Sequence, residues 1–171
     1  MKAALLIIGL IISVNTIAGE QALHAHEHGA IKVGMAVDKN IVEIDMDGPS
    51  ESFISFEYIP KTTKDKKLFN DAEIKWTKNL DSLIAFDKKL NCKVTEASFK
   101  QVVDEKETKE SGVHSDIEAT AKITCSHNLS GSEVTVSLRK VFKHIKKLSV
   151  EVLSTETKSI EITKPVQSFK I

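Results

Sequence analysis

The 171-residue sequence predicts a mainly β protein of the α+β class, built as an antiparallel β-sandwich or open barrel with one amphipathic helix inserted. Apolar and polar residues alternate in at least seven short runs, which is the period of strands with one buried face. Short polar turns separate these runs, as in antiparallel sheets. In one stretch, residues 62–86, apolar residues recur at three and four positions instead, which predicts a helix.

The first 18 residues predict a secretory signal peptide. Lys2 precedes the apolar run 3–12, and Thr16-Ile17-Ala18 places small residues before a cleavage site at Gly19. The apolar run is shorter than the ~20 residues of a membrane-spanning helix. We therefore expect residues 19–171 to be one periplasmic domain that is not membrane-embedded.

The charge balance argues against nucleic-acid binding. The chain has 24 basic and 24 acidic residues and a formal net charge of zero. Because the lysines are dispersed among acidic residues, they form no basic patch for a nucleic acid or a membrane surface.

The first alternating runs predict a β-hairpin, residues 31–37 and 42–46, around the turn 38–40. Residues 53–58 are expected to form a short strand or edge segment. The helix 62–86 follows, with a kink or break near Asn79, and the apolar stripe around Trp76 is expected to cover one face of the sheet. Further strands are predicted around residues 92–102, 117–125, 134–138, 148–152 and 160–162, with a helical turn at 139–143.

Cys92 and Cys125 are the two cysteines of the chain. In an exported protein such a pair favours a disulfide, and neither cysteine belongs to a C-x-x-C motif. Both lie on predicted strands joined by the polar loop 104–112, so antiparallel pairing would place them face to face. Closing a loop of about 34 residues is worth roughly 3–4 kcal/mol in the chain-entropy description. We interpret the bridge as structural.

Three of the six histidines, His24, His26 and His28, alternate just before the first strand. In an extended backbone these side chains share one face, at a spacing of roughly 6.6 Å. Two imidazoles could then bind one zinc ion at about 2.0–2.1 Å. His114, at the start of a strand, is a further candidate ligand. The alternatives are a solvated tail for the first three and an ordinary surface histidine for His114.

The order of these motifs resembles the ZrgA-type zinc-binding proteins, periplasmic companions of a bacterial zinc uptake transporter. The motifs are His-x-His-x-His-Gly before a strand, Gly-Pro-Ser before S-F-E-Y-I-P, the helix, a lone cysteine, H-S-D-I-E-A-T-A-K-I-T-C and V-F-K-H-I-K-K-L-S-V-E-V-L. The resemblance implies a β-sandwich-like fold, a disulfide between Cys92 and Cys125, and Zn²⁺ binding through the amino-terminal histidines. His114 matches a histidine of the family.

Two departures from the family pattern reduce the number of imidazoles. The pattern G-F-E-H-x-P reads S-F-E-Y-I-P here, so Tyr58 replaces a candidate histidine ligand and Glu57 becomes a candidate to complete the metal shell. The loop 104–112 also lacks the histidines of many relatives. The expected metal ligands are His24, His26, His28, His114 and Glu57.

These observations predict a non-enzymatic, monomeric protein that captures or buffers Zn²⁺ for uptake. Its expected partner is a zinc ABC-type transporter or the solute-binding protein of that transporter. Imidazoles also accept Cu²⁺ and Ni²⁺, so the choice of zinc rests on the resemblance. One alternative is a zinc-dependent hydrolase, for which Glu27 would point away from the histidine face of a strand. The other is a structural β-sandwich interaction module with incidental histidines.

Overall fold

The structure is a computed structural model that describes residues 27–103 and 114–171. The predicted signal peptide, His24, His26 and the polar loop 104–112 lie outside the described residues, so what was predicted of them stays a prediction. Within the described part of the chain, no helix is both long and apolar enough to cross a membrane.

The predicted first hairpin is confirmed. Strands β1 (Ala30–Asp38) and β2 (Ile41–Pro49) pair antiparallel, with Val37 opposite Val42 and Lys32 opposite Asp47. Buried and exposed residues alternate over residues 31–36 and 42–47, so the alternating sequence places one apolar face against the core. The open end of this hairpin brings His28 close to Glu51.

The described strands form two sheets. Besides β1 and β2, the strands are β3 (Ile84–Phe86), β4 (Lys93–Val103), β5 (Ser115–Thr124), β6 (Glu133–Val136), β7 (Lys147–Leu153), β8 (Thr157–Glu161) and β9 (Gln167–Lys170). The larger sheet has six strands in the order β4-β5-β2-β1-β7-β8, and the smaller sheet has the order β3-β6-β9.

One hydrophobic core joins the two sheets, and no closed barrel exists among the described strands. The fold is therefore the predicted β-rich α+β sandwich. The expectation of purely antiparallel pairing is wrong at one place, because β1 and β7 are parallel, with Ile31 opposite Leu148. Strand β9 was not predicted.

The main helix, α2 (Thr63–Lys78), begins at a capping box and ends where the sequence predicts a break. The Thr62 hydroxyl accepts from the Asp65 N–H, and the Asp65 carboxylate accepts from the Thr62 N–H. Asn79 follows the last helical residue, and residues 80–86 form a 3₁₀ turn and β3 instead of more helix. Trp76 is fully buried and donates to the Thr120 carbonyl oxygen at 2.9 Å, so the apolar stripe covers the sheet as predicted.

The predicted strand at residues 53–58 is wrong. Glu51–Ile54 forms a helical turn, α1, and Ser55 ends it in the left-handed region at φ 71°. Phe53 and Ile54 are both buried although they are adjacent, which a strand with one buried face does not allow. The ring of Phe53 packs edge-on against Phe99 and Phe142.

A second short helix, α3 (Leu138–Val141), begins at a residue expected in a strand. The disulfide between Cys92 and Cys125 is confirmed and joins β4 to β5 where Lys93 pairs with Thr124. The antiparallel β4–β5 pair thus carries the bridge as the alternating pattern predicts.

Candidate metal centre

Four side chains from separate parts of the chain meet at one end of the six-stranded sheet. His28 precedes β1, Glu51 begins α1, Glu57 follows α1, and His114 precedes β5. The pairing of β2 with both β1 and β5 explains the meeting, because Pro49 lies opposite Asp116 and Lys32 lies opposite Asp47. We call these four side chains the carboxylate–imidazole cluster.

His28 lies in a turn, so the predicted extended backbone is wrong at this residue. The Ala30 N–H donates to the Glu27 carbonyl oxygen at 2.9 Å, and Gly29 has a φ of +81°. The Gly29 carbonyl oxygen accepts from the N–H groups of Lys146 and Lys147. The turn is therefore hydrogen-bonded to the segment that leads into β7, and these two hydrogen bonds fix the position of the His28 backbone.

The donor atoms of the cluster lie at distances that suit one small cation. His28 Nδ1 is 2.9 Å from Glu51 Oε1 and 3.3 Å from Glu57 Oε1. One ligand atom from each of these three residues lies within 4.8 Å of the others. Ligands about 2.0–2.1 Å from a tetrahedral zinc are roughly 3.3 Å apart, so little movement would bring these atoms onto one ion.

His114 joins the cluster through Glu57. Its Nδ1 is hydrogen-bonded to Glu57 Oε2, so the two oxygens of one carboxylate face two different imidazoles. The ring centroids of His28 and His114 are 6.2 Å apart. The Glu57 side chain is 13% exposed, against 34% for Glu51 and 54% for His28, so the cluster has an inner carboxylate and an outer, solvent-facing rim.

Buried hydroxyl groups hold the backbone on either side of Glu57. The Ser115 hydroxyl donates to the Glu57 carbonyl oxygen and lies 2.9 Å from the Ser50 hydroxyl. Gln101 Nε2 donates to Ser115 Oγ at 2.7 Å and to the Tyr58 carbonyl oxygen at 3.2 Å. Because Ser50 and Ser115 are buried, this network fixes the segment that carries the inner carboxylate.

Tyr58, at the position of the missing family histidine, faces away from the cluster. Its hydroxyl donates to Asp65 Oδ1 at 3.4 Å, and its ring stacks on Phe56. Desolvation and the Asp65 carboxylate raise the pKa of Tyr58 above its usual value, which keeps the phenol neutral and a poor metal ligand. Of the adjacent residues Glu57 and Tyr58, the geometry therefore favours Glu57 as the metal ligand.

Glu27, the acidic residue beside His28, also stays outside the cluster. Its carboxylate pairs with the Lys147 ammonium group, and this hydrogen bond and charge raise the pKa of Lys147. A carboxylate engaged in this way is not a free general base for hydrolysis at the cluster.

The structure thus brings together His28, His114 and Glu57 from the predicted ligands, and it adds Glu51, which the sequence analysis missed. The predicted strand at residues 53–58 gives Glu51 no place beside Glu57. A helical turn after Gly-Pro-Ser would have placed Glu51 on the same short segment as Glu57. The donor set of imidazoles and carboxylates suits Zn²⁺.

Comparison with known protein families gives a match over most of the chain. The profile described as ZrgA family zinc uptake protein matches residues 25–171, a span that includes the whole cluster and both cysteines. A search of curated proteins finds no match to this chain.

Proposed function

Because the chain belongs to the ZrgA family of zinc uptake proteins, we propose that it binds Zn²⁺ at the carboxylate–imidazole cluster and holds the ion for a membrane transporter. Family membership indicates a role in zinc uptake, and this family is associated with transport and is no known enzyme class. The metal is the cargo of the protein in this proposal.

The observation that carries the proposal is the convergence of His28, Glu51 and Glu57, with ligand atoms within 4.8 Å of one another. Glu51 and Glu57 both direct carboxylate oxygens at the same imidazole nitrogen. A divalent cation between these groups would neutralise the two carboxylates and give His114 a common partner with His28. With His114 as the fourth donor in this proposal, the protein completes a tetrahedral shell, which favours holding the ion over catalysis with a metal-bound water.

In this proposal, His24 and His26 are additional imidazoles that help to capture zinc. They precede His28 by four and two residues, so an extended chain of roughly 3.3–3.6 Å per residue lets both reach the surroundings of the cluster. Their function in the proposal is to raise the local concentration of ligands around an incoming ion.

The compartment follows from the same reasoning. The family and the disulfide between Cys92 and Cys125 indicate an extracytoplasmic protein. Together with the predicted signal peptide, they support the periplasm as its location. The proposed recipient is a zinc ABC-type transporter or its solute-binding protein.

Thermal unfolding of the mature chain with and without equimolar Zn²⁺ tests the proposal. A ligand that binds only the folded state adds about 2.7 kcal/mol at a free concentration of 100 times Kd. We expect a clear rise in Tm for the wild type, a similar rise for the surface variant His127→Ala, and none for a His28→Ala/Glu57→Gln double variant. An unchanged Tm in the wild type, or a full rise in the double variant, would contradict the proposal.

A further inference from the structure

His144 lies at the rim of the carboxylate–imidazole cluster, although neither the sequence motifs nor the family resemblance gives it a role. Its Nε2 is 3.1 Å from the Ser55 hydroxyl oxygen. Both side chains are exposed. The contact joins two residues that are 89 positions apart in the chain.

Ser55 connects His144 to the two carboxylates. The Ser55 N–H donates to the Glu51 carbonyl oxygen at 3.0 Å and closes α1. Ser55 follows the last residue of α1, and Glu57 comes two residues after it. An imidazole bound to Ser55 therefore lies next to the short segment that carries both carboxylates.

The backbone of His144 also packs against the turn that carries His28. A Cβ atom added to Gly29 would lie 3.0 Å from the His144 carbonyl oxygen. Two residues further on, the N–H of Lys146 binds the Gly29 carbonyl oxygen at 2.9 Å. His144 is thus held between the segment of His28 and the segment of Glu51 and Glu57.

A single exposed hydrogen bond is easily broken, because water can replace the lost partner. In the tautomer protonated at Nδ1, the Ser55 hydroxyl donates to Nε2 of His144. Release from Ser55 then exposes a lone pair on Nε2 with no proton to remove. In the proposed function four donors complete a tetrahedral shell around the ion, so this fifth ligand serves the ion only during exchange.

We propose that His144 is an exchange ligand, through which zinc enters and leaves the cluster; this inference rests on the proposed function. On release, the hydrogen bond from Ser55 to His144 Nε2 breaks, a Zn–Nε2 bond forms, and the bond from zinc to the half-buried Glu51 carboxylate breaks. The coordination number is kept, and no electron or proton is transferred. Entry of the ion follows the reverse order.

The test compares rates with affinities in His144→Ala, Ser55→Ala and the matched control His127→Ala, an exposed histidine on another turn. Zinc loading from a chromophoric indicator and zinc removal by excess EDTA are followed by stopped flow, and Kd is measured by competition with a chelator. We expect His144→Ala to slow loading and removal about tenfold, equal to roughly 1.4 kcal/mol in the barrier, with Kd within about threefold of the wild type. Ser55→Ala, which frees the imidazole, should exchange zinc at least as fast as the wild type.

Two outcomes would overturn the inference: rates in His144→Ala equal to those in His127→Ala, or a loss of affinity in His144→Ala as large as in Glu51→Gln, which would make His144 a permanent ligand. Both outcomes leave zinc binding by the wild type intact. Absence of equilibrium zinc binding in the wild type would reject the proposed function itself.

Discussion

Glu57 and Asp65 are two carboxylates on either side of Tyr58, and their hydrogen-bond partners come from different parts of the chain. Asp65 accepts from the Thr62 backbone N–H, three residues away, and closes the capping box of α2. Glu57 instead faces two imidazoles, His28 and His114, that are 29 and 57 positions away in the chain (57 − 28 and 114 − 57). A carboxylate satisfied by its own helix stabilises local structure, whereas one that gathers titratable groups from distant segments marks a candidate site.

The largest effect that separates the two carboxylates is the response to zinc. We expect Glu57→Gln to weaken zinc binding by roughly 100-fold or more, since changes beside a metal ligand already cost about 10- to 100-fold. Asp65→Asn should leave zinc affinity unchanged. Competition with a chelator measures the zinc affinity of both variants. Equal affinities would contradict a role in zinc binding that Glu57 has and Asp65 lacks.

The turn before β1 gives a second contrast, between Gly29 and Gly131. Both have positive φ, +81° and +74°, but a Cβ at Gly29 would meet Lys146 and His144 atoms at 2.9–3.0 Å, whereas one at Gly131 meets nothing within 4 Å. The strain of a left-handed alanine is roughly 1–2 kcal/mol at either position. Gly29→Ala should lose more free energy of unfolding than Gly131→Ala.

The Gly29→Ala and Gly131→Ala variants also test whether the turn positions His28 in the carboxylate–imidazole cluster. Displacement of the turn moves His28, so we expect Gly29→Ala to lower zinc affinity by about tenfold, and Gly131→Ala to leave it intact. Urea unfolding and zinc titration of the two variants make the comparison. A weaker zinc affinity in Gly131→Ala would point to a global effect in place of a local one.

The smallest expected effects are those of pH. Stability and zinc binding respond to pH in two different ranges. Backbone and side-chain hydrogen bonds from Thr62 hold the pKa of Asp65 below its usual value. A carboxylate with a lowered folded-state pKa stabilises the protein above its unfolded pKa, and this contribution is lost as the pH falls through the lower value, below about pH 4. Asp65→Asn should therefore be less stable than the wild type near neutral pH, and the difference should shrink in acid.

Zinc binding responds in a higher window, because ligand histidines must be neutral and histidine side chains titrate between about pH 5 and 8. We expect zinc affinity to fall between about pH 7.5 and 5.5, where Asp65 stays ionised. A zinc affinity independent of pH in that range would contradict histidine ligation.

The parts of the fold that sequence alone predicted are those set by local patterns. The hairpin around residues 38–40, the α2 helix with its break at Asn79 and the strands that carry Cys92 and Cys125 all follow from periodicity or turn chemistry. The parallel β1–β7 pair did not, because no local pattern states which strand lies beside β1. The cluster shows the same limit: His28, His114 and Glu57 were singled out by type and resemblance, but Glu51 depended on the unpredicted turn α1.

The most direct test of the account is anomalous diffraction at the zinc absorption edge from crystals of the mature protein loaded with one equivalent of Zn²⁺. The account predicts one strong peak between His28, Glu51, Glu57 and His114, with ligand atoms about 2.0–2.1 Å from the metal. A peak elsewhere with the cluster unchanged, or no peak at equimolar zinc, would contradict the claim that these side chains form the metal site.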